Sequence, residues 1–213
     1  MSFVSGGVAP ELRAEFPGLR LQWTQLEARV RASPREVRRR LRELSDRVAG
    51  AGVVAMRTQP IPHAYRSFFR HVGLDPDAAR IPSEAAAVRR LLDGRFRSRD
   101  ILQDALLIAL IETGVPVWAL DGRRVEVDSL VLRAAVGGER LGGAPDGLSL
   151  PAGQLVVADA ARVHATLFGE PVPEHLPGPG ARAIVLYAVA VEGVPAIHVE
   201  EALWTATDVL KAG

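Results

Sequence analysis

The sequence predicts an α+β protein, with helices in the N-terminal half packed on a mainly antiparallel sheet system in the C-terminal half. Up to Thr113, apolar residues recur at helical spacing between capping signals. After Gly114, short strand-like runs are separated by glycine-rich turns. Helices and strands do not alternate, which argues against a doubly wound parallel sheet.

The elements follow in chain order. The alternation in LRLQW predicts a strand over Leu19–Trp23 that buries Leu19, Leu21 and Trp23. SPRE supplies Ser33 as N-cap, Pro34 at N1 and Glu36 at N3, a capping box opening a helix from Pro34 to about Ala49. Its apolar stripe is Val37, Leu41, Leu44 and Val48, with Arg35, Arg38, Arg39, Arg42 and Glu43 outside it. Gly50 and Gly52 are expected to stop it. A second helix, about His63 to Val72, buries Tyr65, Phe68, Phe69 and Val72 and ends at Gly73. Pro76 and Pro82 frame a loop, and Ser83 to Leu92 forms a third helix. A fourth opens at Asp100, with Gln103 at N3, and runs to Thr113. Its apolar residues fall on every side, as expected of a central helix. VPVWAL, VDSLVLRAAV, GQLVVADA, RVHATLF and ARAIVLYAVAV are strand-like, with GGERLGG, PDGLSLPAG and EHLPGPGA as turns. A helix around Glu200 to Leu210 closes the order.

At 213 residues and 48% hydrophobic composition, the chain can bury roughly 70% of its unfolded surface, and a single domain over residues 1–213 is expected. The apolar run Ala105 to Ile111 is far short of the roughly 20 residues that span a bilayer. With no basic leader and apolar segment at the start, a cytoplasmic protein without a membrane partner is expected. The absence of cysteine excludes disulfides, thiolate metal sites and a cysteine nucleophile. Histidines at 63, 71, 164, 175 and 198 have no metal-ligand spacing, so neither a metal nor a cofactor is expected. There is no G-x-S-x-G elbow, and GGERLGG lacks the Gly-Lys-Ser/Thr of a phosphate loop. No motif assigns a catalytic residue.

The net charge of +1 conceals an asymmetry. Residues 1–106 carry 19 Arg against 12 acids, whereas residues 107–213 carry 6 Arg and Lys211 against 13 acids. Guanidinium forks pair bidentately with phosphate oxygens, which makes Arg35, Arg38, Arg39 and Arg42 candidate phosphate contacts. The alternative is an ordinary solvated helix face.

Asp104 stands on the central helix, where an ionised carboxylate must be paired or hydrogen-bonded. Arg80, Arg89 and Arg90 are its candidate partners. The helix breaks at ETGVP, and the chain then delivers Glu112, Pro116, Trp118 and Asp121 in quick succession, an expected pocket wall.

These residues also stand in a familiar order. An Asp on a buried helix, Glu-x-Gly-x-Pro, Ala-x-Asp and then LVLRAA and VVADA resemble the B3/B4 domain of the phenylalanyl-tRNA synthetase β subunit. R-x-P-S-E followed by R-R matches at Arg80, Pro82, Ser83, Glu84, Arg89 and Arg90, and Pro-x-His-Ala-Phe-Asp matches at Pro116, Ala119 and Asp121. LVLRAA and VVADA add Arg133 and Asp159. The chain departs from the pattern at Trp118, in place of that histidine, and at Leu107, where the family has Asn. The resemblance covers a core of about residues 57–205, leaving a strand and helix extension over about residues 1–52.

The resemblance implies a stand-alone B3/B4 protein that binds tRNA or aminoacyl-tRNA and would hydrolyse a mischarged ester in trans. Its pocket would draw on Arg80, Ser83, Glu84, Arg89, Arg90, Asp104, Glu112, Pro116, Trp118, Asp121, Arg133 and Asp159. Catalysis would rest on orientation, a positioned water and backbone donors rather than on a nucleophile. The alternative is a non-catalytic RNA or small-molecule binding module on the same scaffold.

Overall fold

The computed structural model describes residues 2–48 and 50–212, and it is α+β, with seven helices and two four-stranded sheets among the described residues. The chain divides into two compact units, each made from two separate stretches of sequence. One comprises residues 2–29 and 118–189, the other residues 30–117 and 190–212.

The first unit holds the sheets. β1 (Val4–Ser5), β2 (Gly7–Val8), α1 (Pro10–Glu15) and β3 (Arg20–Glu27) come from its N-terminal stretch. β4 (Val117–Asp121), β5 (Val131–Ala134), β6 (Leu155–Ala158), β7 (Val163–Thr166) and β8 (Ala183–Ala190) follow. The first sheet has the order β1-β3-β8-β4. The Ala28 N–H donates to Arg182 O and the Gly122 N–H to Ala183 O, so both neighbours finish where β8 begins and run antiparallel to it. The run AIVLYAVA is apolar throughout because β8 lies between two partners and is buried along almost its whole length.

The second sheet has the order β2-β5-β6-β7 and is mixed: β2 runs parallel to β5, whereas β5, β6 and β7 are antiparallel. Ala135, Leu150, Val156, Ala158 and Val163 form its apolar cluster. Gly6 lies where the chain leaves one sheet for the other. A Cβ there would stand 2.6 Å from Leu21 Cδ2, so the close approach of backbone to Leu21 requires glycine.

The second unit is helical: α2 (Arg35–Arg47), α3 (Gly50–Met56), α4 (Pro60–His71), α5 (Pro82–Asp93), α6 (Ile101–Thr113) and α7 (Ala196–Lys211). α6 is central and packs against α2, α5 and α7, which explains its lack of a polar face. Asp100 caps it by accepting from the Gln103 N–H at 2.9 Å, and Gly114 ends it in the left-handed conformation. No described helix is long and apolar enough to cross a membrane.

Several boundaries differ from expectation. Gly50 opens α3 instead of ending the helical region, because α2 has already closed at Val48, whose N–H turns back to Ser45 O. The expected end at Ala49 lies outside the described residues. Ser33 does not cap α2: its hydroxyl donates to Asp104, a charge-assisted bond that outcompetes a neutral cap. Helices α4 and α7 begin earlier than expected, at Pro60 and beside Pro195, where the fixed proline φ suits a first turn.

Candidate functional site

In the helical unit, the expected pocket residues separate into three environments. Asp104 is 1% exposed and accepts hydrogen bonds from the Ser33 and Ser98 hydroxyls and from the Arg99 N–H. Among the described residues, no arginine guanidinium is bonded to it. Arg89 pairs with Asp93, Arg90 donates to Ser45 Oγ, and Arg80 is exposed. The expected arginine partner is thus replaced by three uncharged donors, supplied by the segments that enter α2 and α6.

Glu84 is also buried, and its partner is a residue that sequence reasoning did not select. Arg66 donates to both Glu84 oxygens at 3.0 and 2.9 Å and to Asp77 Oδ1 at 2.9 Å. Burial opposes the Arg66 charge, but Asp77 and Glu84 raise its pKa despite that cost. Arg66 sits beside Tyr65 on the buried side of α4, and an arginine interrupting an aromatic stripe was the available signal.

A cavity of about 460 and one of about 320 Å³ are the candidate sites among the described residues. The smaller belongs to the helical unit. Met56, Ile61, Pro62, Leu110 and Ile111 make its apolar walls, with Glu112, Thr113 and His198 as polar lining. Arg40 holds Glu112 bidentately at 2.9 and 2.6 Å, so the carboxylate is already neutralised. Ser83 lines the same cavity, is 3% exposed, and its hydroxyl has no hydrogen-bond partner among the described residues. Of the expected pocket residues, this cavity gathers Ser83 and Glu112.

In the sheet unit, Trp118 is 5% exposed; its indole stacks on Tyr187 at 5.6 Å between centroids and lies 5.9 Å from the tilted ring of Phe168. Its face toward Tyr187 is therefore already occupied by an aromatic ring. Phe168 has φ +62°, a left-handed conformation rare for an aromatic residue. Pro116 is buried just before β4. Arg133 binds Glu139 through two hydrogen bonds, an ion pair within the turn after β5. Asp121 accepts from the backbone and side chain of Arg123, which holds its carboxyl below the usual carboxylate range.

Asp159 organises the other cavity. Its Oδ1 accepts from the Ala161 and Arg162 N–H groups and its Oδ2 from the Glu126 N–H, tying two turns together. Burial works against its charge, yet these bonds and His164 lower its pKa. His164 Nε2 lies 2.8 Å from Asp159 Oδ2, and the two Nδ1 atoms of His164 and His175 are 2.9 Å apart. Because an ionised carboxylate only accepts, Nε2 of His164 carries the proton in the neutral pair. Its Nδ1 therefore accepts from Nδ1–H of His175. Sequence reasoning saw five isolated histidines; RVHATLF hides His164 inside a strand, and only the fold brings His175 to it.

This arrangement fixes a pH dependence. Burial, then His164 and the nearby Arg162 and Arg124, push His175 down to about 4. The unfolded chain thus binds the extra proton first, and stability falls as pH drops from about 6.5 towards 4, by about 2–3 kcal/mol between pH 7.5 and 4.5. Urea unfolding at the two pH values measures this; a stability unchanged between pH 7 and 5 would refute the neutral buried pair.

The larger cavity is lined by Arg123, Arg124, Arg162, Val125, Glu126, Ala161 and Asp159. Among the described residues no group of three or more histidine or carboxylate side chains converges as a metal site. On α2, Arg35, Arg38, Arg39 and Arg42 are all exposed, opposite the buried Val37, Leu41 and Leu44. In comparisons with known proteins, the chain matches no family model and no curated protein.

Proposed function

We propose that this chain is a stand-alone B3/B4-type protein of the cytoplasm that binds tRNA or aminoacyl-tRNA. The observation that carries the reading is the exposed arginine stripe of α2. Arg35, Arg38, Arg39 and Arg42 fall at i, i+3, i+4 and i+7, one face of the helix, and span about 10 Å along its axis. Arg39 alone among them has an ion pair with a described residue, a 3.7 Å exposed contact to Glu43. Exposed pairs of that kind contribute little to stability, so the stripe is available to phosphates. The order of Asp104, Glu112, Pro116, Asp121, Arg133 and Asp159 supports the B3/B4 assignment.

Changing Arg38 and Arg39 together to Glu is expected to weaken tRNA binding roughly tenfold or more, with the melting midpoint nearly unchanged. Log affinity should fall with log salt by roughly 0.7 for each phosphate neutralised on a single-stranded terminus. Filter binding across a salt series measures both. An unaltered affinity in the double variant, or no binding of any tRNA at low salt, overturns the reading. Deacylation of a panel of mischarged tRNAs tests whether binding is accompanied by ester hydrolysis.

A second reading, a non-catalytic small-molecule module on the same scaffold, is favoured by the 320 Å³ cavity and its unpartnered Ser83 hydroxyl. Leu107 in place of an amide and the stacked Trp118 support it as well. Such a pocket, apolar with a few polar groups, suits a neutral ligand.

A further inference from the structure

The turn Arg123–Glu126 and the turn Asp159–Arg162 face one open cavity of about 460 Å³, and three arginines are among its lining residues. Their commitments differ. Arg123 is drawn back to Asp121 through its side chain at 3.0 Å. Arg124 and Arg162 make no ion pair with a described carboxylate and no side-chain hydrogen bond to a described residue, although both are close enough to His175 to depress its basicity. Each guanidinium offers five N–H donors in a planar fork.

The acids of the cavity do not compete equally for these forks. Asp159 already accepts from Glu126, Ala161, Arg162 and His164, so its lone pairs are engaged by the groups that shape the cavity. Asp121, which lies outside the lining, neutralises Arg123. Glu126 is exposed and uses only its backbone in the clamp, leaving its carboxylate as an acceptor at the rim. With these charges nearly balanced, a simple monovalent anion gains little there. A doubly charged, multidentate oxyanion gains more, because it can take both uncommitted forks at once. The volume exceeds what a bare phosphate fills and falls in the range of sites for small organic ligands.

From this juxtaposition we infer that the cavity binds a phosphomonoester of a small hydroxylated molecule, with the phosphate on Arg124 and Arg162 and a hydroxyl or amino group of the organic part on Glu126. The backbone needs no rearrangement, since Asp159 and Asp121 hold both turns before a ligand arrives. This site is in the sheet unit and is independent of the tRNA-binding reading, which rests on α2.

Calorimetric titration of the full chain with adenosine monophosphate, ribose 5-phosphate and inorganic phosphate tests the inference, with adenosine and ribose as phosphate-free controls. The two phosphomonoesters should bind, inorganic phosphate more weakly, and the controls not measurably. Arg124→Gln with Arg162→Gln should weaken the phosphomonoesters at least roughly tenfold. Its melting midpoint should stay near that of the parent, since neither side chain is tied to the fold. Glu126→Gln should weaken ribose 5-phosphate relative to inorganic phosphate, which loses no contact and gains from removal of a nearby negative charge.

Equal binding of adenosine and its monophosphate overturns the inference, as does an unchanged affinity in the double arginine variant or no heat at millimolar concentrations of any phosphate. If the double variant instead loses tRNA affinity while small phosphates fail to bind, the cavity is an RNA contact and the inference is overturned. Arg38→Glu with Arg39→Glu separates the two readings. It should leave phosphomonoester binding intact even if tRNA binding proves absent.

Discussion

Arg66→Met is expected to destabilise the protein by about 3–5 kcal/mol, a large share of a typical folding free energy. Arg66 is 5% exposed and Glu84 2%, so removal of the guanidinium leaves a carboxylate in the interior with no cation. The cost is the penalty of stranding that charge and not the net value of the pair. The double change Arg66→Met with Glu84→Leu should therefore recover most of the loss, while Asp77, more than half exposed, stays hydrated and paired with Arg57. Denaturant unfolding of the single and double variants measures this. A double variant as unstable as the single would show that the bonds themselves, and not the unpaired charge, carry the effect.

Asp104→Ala should cost about 3 kcal/mol, because it leaves two hydroxyls and a backbone N–H beside an empty acceptor site. Ser33→Ala and Ser98→Ala should cost about 1.5–3 kcal/mol each, as expected for hydrogen bonds to a charged group. Since both donate to Oδ2, their effects should not add, and a double-mutant cycle should return a coupling of at least about 0.5 kcal/mol. Changing Arg89 or Arg90 to Gln should alter stability by no more than about 0.5 kcal/mol. A loss of several kcal/mol in either arginine variant would restore an arginine as the partner of Asp104.

Local signals in the sequence were reliable where one segment determines its own structure. The Val37, Leu41 and Leu44 stripe lies on the buried side of α2, Asp100 caps α6, and Leu19, Leu21 and Trp23 are buried as the alternation of LRLQW requires. What failed was partner choice across long separations. The pattern at Ser33 is that of a capping box, but a carboxylate 71 positions away captures the hydroxyl. An aspartate on the apolar helix α6 needs buried donors, yet nothing in its own segment says that two serines supply them. Local sequence points to Glu84 but not Arg66, and to Asp159 but not His164 and His175, because both sets meet only after distant elements pack. Trp118 could be placed on a strand, but its stacking on Tyr187 depends on the β4–β8 pairing. Arg124 and Arg162 carried no motif at all; their meaning comes from the two turns that Asp159 joins.

The interleaving of the two units governs how the chain can mature on a ribosome. α6 packs against α7, but α7 begins roughly 80 residues after α6 ends, a stretch that takes about 4–16 s to synthesise. β3 meets β8 only after most of the chain has been made. For that interval the most apolar helix and an early strand are both without their final neighbours. The nascent chain is therefore exposed to aggregation until α7 emerges, and holding factors that shield apolar segments should raise its soluble yield.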